Sequence, residues 1–156
     1  MDLIDNTVER LKLEEGYRKF IYQDSLGYST VGYGLCIDSR VGGSGVTKKE
    51  AEYLLRNRVQ SLSSAIFRAV PWATMLDIGR QQILIEMAYQ MGGRGLMKFK
   101  RFLAALKEGN FSLASDEMLD SSWARDHTPA RAKRLAARML EDPAPTELSD
   151  EDLWGT

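Results

Sequence analysis

The chain has 156 residues and a mass of 17.6 kDa, a size that suits one domain or two small lobes. It is 44% hydrophobic and 28% charged, as globular proteins are, and no apolar run approaches the ~18 residues of a membrane helix. A single cysteine, Cys36, excludes an internal disulfide and a multi-cysteine metal site. A single histidine, His127, argues against a zinc hydrolase. We therefore expect chemistry based on carboxylates and hydroxyls, without metal or cofactor.

Charge is distributed unevenly along the chain. All 21 basic residues and 16 of the 22 acidic residues precede residue 141, so that part carries +5. Residues 141–156 carry six acids and no base, and we interpret them as an appended acidic tail, either inert or weakening long-range attraction to anionic walls. A basic body favours an anionic polymer such as cell wall, nucleic acid or a membrane surface. The first residues have no signal-peptide pattern, so we expect synthesis in the cytoplasm.

Hydrophobic periodicity predicts a small α+β region at the N-terminal end. An amphipathic helix is predicted over 3–15 and ends at Gly16. Strands are predicted at 17–23 and 28–34, around turn residues 24–27. A short third strand at 35–37 and a loop at 38–46 follow.

The rest of the chain is predicted to be helical. Thr47 and Glu50 form a capping box that begins a long helix ending at Pro71. Thr128 is expected to cap the last helix, which has proline at its first position. The predicted helices after Pro71 cover 77–91, 96–107, 112–120 and 129–140, with Gly92–Gly95 separating the first two. This order predicts an α+β protein with a small N-terminal lobe, a connecting helix and a larger all-helical lobe. Clefts between lobes are common ligand sites.

Glu15 is the candidate general acid. Positions 4, 8, 11 and 15 share one face of the first helix, so a carboxylate ends an apolar stripe in the last helical turn. Partial burial and the helix dipole would both disfavour its ionised form, as a proton donor near neutral pH requires. Its neighbour Glu14 is rotated by about 100° and is expected to face water.

Asp24 and Thr30 are the candidate partners of Glu15. Asp24 lies at the hairpin turn, where it is expected to be solvated and ionised. Strand alternation would place Tyr28, Thr30, Gly32 and Gly34 on one face, leaving room for a bulky polymer beyond Thr30. A protonated acid, an ionised carboxylate and a glycine-lined groove are suited to glycoside hydrolysis. Each residue alone is also an ordinary helix-end, turn or strand residue.

Several segments in order resemble the T-even phage lysozymes, the glycoside hydrolase family 24 endolysins. The resemblance covers about residues 4–138. The matching segments are Leu13–Gly16, Tyr22–Asp24, Gly27–Gly34, Thr47–Ala51, Met87–Gly92, and Trp123 with Thr128–Arg134.

The resemblance implies a lysozyme-like fold and roles for individual residues. It implies one domain over 1–140, with an N-lobe of about 12–50, a connecting helix of about 48–70, and a C-lobe of about 71–140 together with helix 3–15. Glu15 matches the general acid, Asp24 the second carboxylate, and Thr30 the hydroxyl that helps to position the attacking water. The implied reaction is hydrolysis of the β-1,4 bond between N-acetylmuramic acid and N-acetylglucosamine in peptidoglycan, with inversion. The implied biology is host-cell lysis by a monomeric endolysin that reaches the wall after holin-type release.

Substrate-binding residues transfer less well. We keep Tyr89 and Gln90 as cleft candidates and Thr128 as a weaker contact. Phe102 and Glu117 stand where the family has small polar groups, so neither is assigned, and Leu35 replaces a frequent histidine. We interpret Cys36 as a buried small hydrophobe, and the basic helix Arg131–Arg138 as a solvated face.

Three alternatives remain at this point. A lytic transglycosylase would break the same bond and close an anhydro ring. A wall-binding module would keep the fold and lack turnover. Nucleic-acid binding through the basic helix predicts a salt-dependent gel shift, which we do not expect, and we expect no stable membrane insertion.

Overall fold

The computed structural model describes residues 3–43 and 45–143. The chain divides into two compact units whose boundary falls between Leu55 and Arg56. Residues 144–156, most of the predicted acidic tail, lie outside the described residues. The predicted α+β class is confirmed: an antiparallel sheet lies near the N-terminus and helices make up most of the remaining chain. None of the helices within the described ranges is long and apolar enough to cross a membrane.

The first unit begins with helix α1, Leu3–Glu15, which has the predicted bounds. Gly16 ends it in the left-handed conformation, with φ of 65°, and donates its N–H to Lys12 O at 3.2 Å. A three-stranded antiparallel sheet follows in the order β1, β2, β3. Its strands are β1 Arg18–Gln23, β2 Ser29–Gly32 and β3 Leu35–Cys36.

The predicted strand over 28–34 is wrong at its end, because β2 stops at Gly32. Gly32 and Gly34 have φ of 67° and 73°, so the chain turns at Tyr33 and Gly34 instead of continuing extended. The alternation of Tyr28, Thr30, Gly32 and Gly34 on one strand face therefore does not extend to Gly34. The turn instead gives Gly34 a different role, beside Glu15.

Helix α2, Lys48–Ala69, begins at the predicted capping box and contains the boundary between the two units. Thr47 N donates to Glu50 Oε2 at 2.8 Å, and Glu50 N donates to Thr47 Oγ1 at 3.3 Å. The Thr47 hydroxyl also donates to the Glu50 carboxylate, which lowers the pKa of Glu50. This reciprocal pairing confirms the predicted start of the helix.

The second unit is helical. Its α-helices are α3 Ile78–Met97, α4 Lys100–Lys107, α5 Phe111–Leu119 and α6 Pro129–Met139. Two short segments were not anticipated, a 3₁₀ helix at Pro71–Met75 and a π-helical turn at Trp123–His127. The core of this unit is apolar, and its largest fully buried side chains are Phe102, Ile66, Ile83, Leu84, Met87, Leu96, Leu106, Met118, Leu135 and Met139.

Several local predictions need correction. The helix predicted at 77–91 continues to Met97, with a break at Gly92, where φ is 77° and ψ is 158°. Thr128 is at the N-cap position of α6 but makes no side-chain capping bond. Cys36 on β3 is only partly buried, so the prediction of a buried small hydrophobe is wrong in part. The basic helix is not simply a solvated face, since Arg138 Nη1 bonds Glu86 Oε1 on α3 at 2.6 Å.

Arg80 at the start of α3 joins three parts of the second unit. Its side chain is buried and donates to Met139 O at 3.0 Å and to Glu141 O at 2.9 Å. It also donates to Asp77 Oδ2 at 2.7 Å, and its guanidinium stacks 3.6 Å from the centre of the Phe111 ring. Burial opposes the ionised form of Asp77, but the hydrogen bonds and charge of Arg80 lower the pKa of its carboxyl overall. Arg80 therefore connects the end of α6 to the start of α3 through hydrogen bonds.

We expect Arg80→Ala to lower the free energy of unfolding by about 2–4 kcal/mol, because it leaves buried carbonyl groups without donors. Urea unfolding followed by circular dichroism measures the change. Arg125→Ala is the matched control, since Arg125 makes an exposed ion pair with Asp120 at 2.9 Å and its loss is expected to cost less than about 1 kcal/mol. Equal losses in the two variants would contradict the structural role of Arg80.

Candidate active site

The carboxyl group of Glu15 lies against the backbone of Gly34. A Cβ atom built on Gly34 would stand 2.5 Å from Glu15 Oε2 and 2.8 Å from its Cδ. The register explains this approach, because Arg18 pairs with Gly32 and the Tyr17 and Tyr33 rings lie 5.5 Å apart. The predicted partial burial of Glu15 is wrong: its side chain is exposed, as is all of α1.

Asp24 organises the turn between β1 and β2. Its Oδ1 accepts the N–H of Leu26 at 2.8 Å and that of Tyr28 at 2.9 Å, and its own N–H donates to Tyr28 O at 2.9 Å. Both side-chain bonds fall on Oδ1, and the second oxygen, Oδ2, takes part in neither. The side chain is half-buried, so the prediction of a solvated turn aspartate holds in part.

Thr30 is connected to Asp24 through Tyr28. Its hydroxyl donates to Tyr28 O at 3.1 Å, the same carbonyl that accepts the N–H of Asp24. Thr30 pairs with Tyr22 on β1 and Cys36 on β3, and only 3% of its surface is exposed. Because its proton is directed to the carbonyl, the hydroxyl oxygen Oγ1 keeps lone pairs that this bond does not use.

Two residues of the predicted loop at 38–46 also support this hairpin. Asp38 is buried, and its carboxylate accepts the N–H of Ser29 at 3.0 Å and the Nε–H of Arg40 at 2.8 Å. Arg40 Nη2 donates to Gly27 O at 2.9 Å. Neither residue was identified from the sequence, because an aspartate that caps a short turn, with arginine two positions later, indicates the local turn and not its contacts with the hairpin.

The bonds to Asp38 keep it ionised. The hydrogen bond from Arg40, together with the backbone N–H groups of Ser29 and Arg40, holds the pKa of the Asp38 carboxyl well below its ordinary range. The carboxylate of Asp38 in turn raises the pKa of the Arg40 guanidinium. Because the folded pKa of Asp38 is lowered, its stabilising contribution is complete above its ordinary pKa and is lost as pH falls through the lowered value. The pair therefore stays ionised in mildly acidic solution.

The predicted substrate-binding residues lie in the second unit. Tyr89 is 49% exposed, whereas the neighbouring Gln90 accepts the indole N–H of Trp123 at 3.1 Å. Thr128 donates its backbone N–H to Trp123 O at 3.1 Å, so Gln90 and Thr128 contact the same tryptophan. The Thr128 hydroxyl is buried and has no hydrogen-bond partner among the described residues. Gln90 therefore has a structural partner, and Tyr89 is the accessible member of the three.

Next to Trp123, the second unit contains a cavity of about 500 Å³. Phe102 is in its wall and is almost fully buried, and Arg101 forms an ion pair with Glu117 at 2.7 Å. Its lining residues are Met91, Gly95, Lys98, Phe99, Lys100, Arg101, Phe102, Glu117, Asp120, Ser121, Ser122, Trp123 and His127. Phe102 and Glu117 therefore contribute an apolar and a charged group to the wall of this cavity.

Metal ligands form no cluster in the parts of the chain that are described. Over 3–43 and 45–143, no group of three or more His, Cys, Asp or Glu side chains is placed to hold an ion. In the first unit the structure links Asp24 and Thr30 through Tyr28, and it places Glu15 beside Gly34. Carboxylates and a hydroxyl are groups that support acid–base chemistry.

The helical second unit and the small antiparallel sheet are consistent with an α+β protein of the lysozyme-like class. The model of the phage lysozyme family matches residues 12–139, and the chain belongs to that family. At the family level it is therefore a muramidase-like peptidoglycan hydrolase. The family resemblance noted from the sequence is confirmed.

Individual relatives are similar at low identity. "Probable T4-type lysozyme 1" of Dictyostelium discoideum is 25% identical in an alignment that covers 85% of this chain and 92% of the relative. "Probable T4-type lysozyme 2" of the same organism is 24% identical with the same coverage. The "Pre-baseplate central spike protein Gp5" of Enterobacteria phage T4 is 29% identical in an alignment that covers 85% of this chain and 27% of Gp5.

Proposed function

We propose that this protein hydrolyses the β-1,4 bond between N-acetylmuramic acid and N-acetylglucosamine in peptidoglycan. The observation that carries the proposal is the arrangement in the first unit. An exposed carboxyl group, that of Glu15, is held against Gly34, while Asp24 and Thr30 are joined through the backbone of Tyr28. A proton donor with a second carboxylate and a hydroxyl is the equipment that glycoside hydrolysis requires.

In this mechanism Glu15 protonates the glycosidic oxygen of the leaving sugar. Its exposed position gives a polymer access to the carboxyl group. Because Gly34 has no side chain, the carboxyl group has room beside the backbone of that residue. Asp24 acts as the second carboxylate: its Oδ2, which does not bind the turn amides, accepts the proton that the attacking water loses as its oxygen bonds to the sugar carbon. Thr30 accepts a hydrogen bond from the attacking water and helps to orient it.

The proposed stereochemical outcome is inversion. Water then attacks the sugar face opposite the leaving group, which requires carboxyl groups roughly 6.5–9.5 Å apart, compared with about 5–5.5 Å in retaining enzymes. NMR of the first product anomer tests this step. We expect the inverted anomer, and early appearance of the retained configuration would refute inversion while leaving hydrolysis in place.

The main alternative is a lytic transglycosylase. Purified peptidoglycan digested with the protein is expected to give fragments that carry an added water and a new reducing end. Mass spectrometry distinguishes these from anhydro fragments, which are lighter by one water. Anhydro ends would refute hydrolysis, because Asp24 and Thr30 have a role only if water attacks.

The proposal also includes substrate contacts in the second unit. Tyr89 is proposed as a substrate contact because it is exposed, with Gln90 and Thr128 acting beside it through Trp123.

The proposed biological role is host-cell lysis by a monomeric phage endolysin, with synthesis in the host cytoplasm and release to the wall. An inactive wall-binding module is the second alternative, and turnover of purified peptidoglycan would refute it.

A further inference from the structure

Asp38 and Arg40 form a clamp on the hairpin that carries two of the proposed catalytic residues. The Asp38 carboxylate accepts the N–H of Ser29, and the Arg40 guanidinium donates to the carbonyl of Gly27. The pair therefore binds the backbone of the residues on either side of Tyr28. The guanidinium of Arg40 also lies 5.5 Å from the centre of the Tyr28 ring. The residue between these two contacts is therefore fixed through its neighbours and through its side chain.

Tyr28 in turn contacts both Asp24 and Thr30. Its N–H donates to Asp24 Oδ1 at 2.9 Å, and its carbonyl accepts the N–H of Asp24 and the hydroxyl of Thr30. A displacement of the Tyr28 backbone therefore moves the carboxylate and the hydroxyl together. The bonds of Asp38 and Arg40 reach the proposed site through this single residue.

We propose that Asp38 and Arg40 are positioning residues that hold Tyr28, and through it Asp24 and Thr30, in the arrangement needed for water attack. The inference rests on the proposed function and adds two residues to its machinery. Neither residue is proposed to touch the substrate. Arginine suits the role because its planar fork bonds Asp38 and Gly27 at once, which a lysine ammonium on a flexible stem does not reproduce.

The test compares this pair with a matched pair elsewhere. Asp77 and Arg80 have the same design, since Asp77 accepts both the backbone N–H and the guanidinium of the arginine that follows it. Apparent kcat and KM are measured on purified sacculi for Arg40→Ala, Asp38→Asn and the control Arg80→Ala. Thermal unfolding followed by circular dichroism identifies an assay temperature at which every variant is folded.

Arg40→Ala and Asp38→Asn are expected to lower kcat about tenfold or more, with KM within about twofold of the wild type. Arg80→Ala is expected to keep kcat per folded molecule, although it is less stable. Arg40→Lys is expected to recover little of the loss. The double variant is expected to lose no more than the larger single loss, because the two residues act as one unit.

Two kinetic results would overturn the proposal. An unchanged kcat in folded Arg40→Ala would show that Asp38 and Arg40 only support the fold and do not position the site. A raised KM with unchanged kcat would make Arg40 a substrate contact instead of a positioning residue.

A second readout separates this proposal from the proposed function. Amide hydrogen exchange is followed at Tyr28 and Ser29, whose N–H groups bond Asp24 and Asp38. If the wild type degrades no peptidoglycan, the proposed function fails. Loss of protection at Tyr28 in Arg40→Ala, without loss in the second unit, would then still support the clamp, and unchanged protection would overturn it.

Discussion

Glu15→Gln is expected to abolish most of the lytic activity while leaving the protein folded. Glutamine keeps the length and shape of the side chain but has no acidic proton for the leaving sugar. General acid catalysis contributes roughly 10²–10⁴-fold, so we expect a loss of that size in kcat. Because Glu15 is exposed at the end of α1, the free energy of unfolding is expected to change by less than about 0.5 kcal/mol. New reducing ends released from sacculi measure the activity.

Glu14→Gln provides the matched control for this experiment. Glu14 is the adjacent residue of the same helix, is also exposed, and undergoes the same loss of charge. It is expected to retain activity close to that of the wild type. Equal activity in Glu15→Gln and the wild type would place the proton donor elsewhere, whereas equal losses in both variants would indicate a general effect of charge.

Gly34→Ala is expected to cause the second large loss of activity. The added methyl group would stand 2.5 Å from Glu15 Oε2, so the carboxyl group has to move. This movement costs little free energy, because the group is the end of a flexible and exposed side chain. A displacement of about 1 Å can nevertheless cost roughly 10²-fold in rate, and we expect kcat to fall by about that factor.

The stability of Gly34→Ala is expected to change for a different reason. Gly34 has φ of 73°, a left-handed conformation that costs an alanine residue roughly 1–2 kcal/mol. Gly109 is the matched control, since its φ is 72° and a Cβ atom there has no neighbour within 4 Å. Gly109→Ala is expected to lose similar stability in urea unfolding and to keep its kcat. A similar loss of kcat in both variants would contradict the contact between Gly34 and Glu15.

The start of α2 was predictable from the sequence. This helix begins at the Thr47–Glu50 capping box, because hydrogen bonds between residues three positions apart determine where it starts. The end of β2 was harder to predict from the sequence. A strand and a turn through Gly32 and Gly34 satisfy the same glycine-rich pattern, and the pairing of Leu35 with Val31 selects the turn.

The residues of the candidate site also differ in how far the sequence alone could predict them. Asp24 was identified from its turn position, and its bonds to Leu26 and Tyr28 are local, at two and four residues along the chain. Asp38 reaches Ser29 across nine residues and Arg40 reaches Gly27 across thirteen, so no local pattern indicated their effect on the hairpin. The burial expected for Glu15 was wrong because the apolar stripe of α1 is itself exposed, as at Ile4 and Leu11.

By itself the sequence determined the α+β class, the family and the residues Glu15, Asp24 and Thr30 as candidates, because these depend on residue types at fixed spacings. Only the tertiary structure decided that Gly34 lies against Glu15 and that Asp38 and Arg40 hold Tyr28 from both sides. The physical reason is that strand register and hydrogen bonds between distant residues depend on the whole sheet forming together. A contact of this kind has no counterpart in the order of residues along the chain.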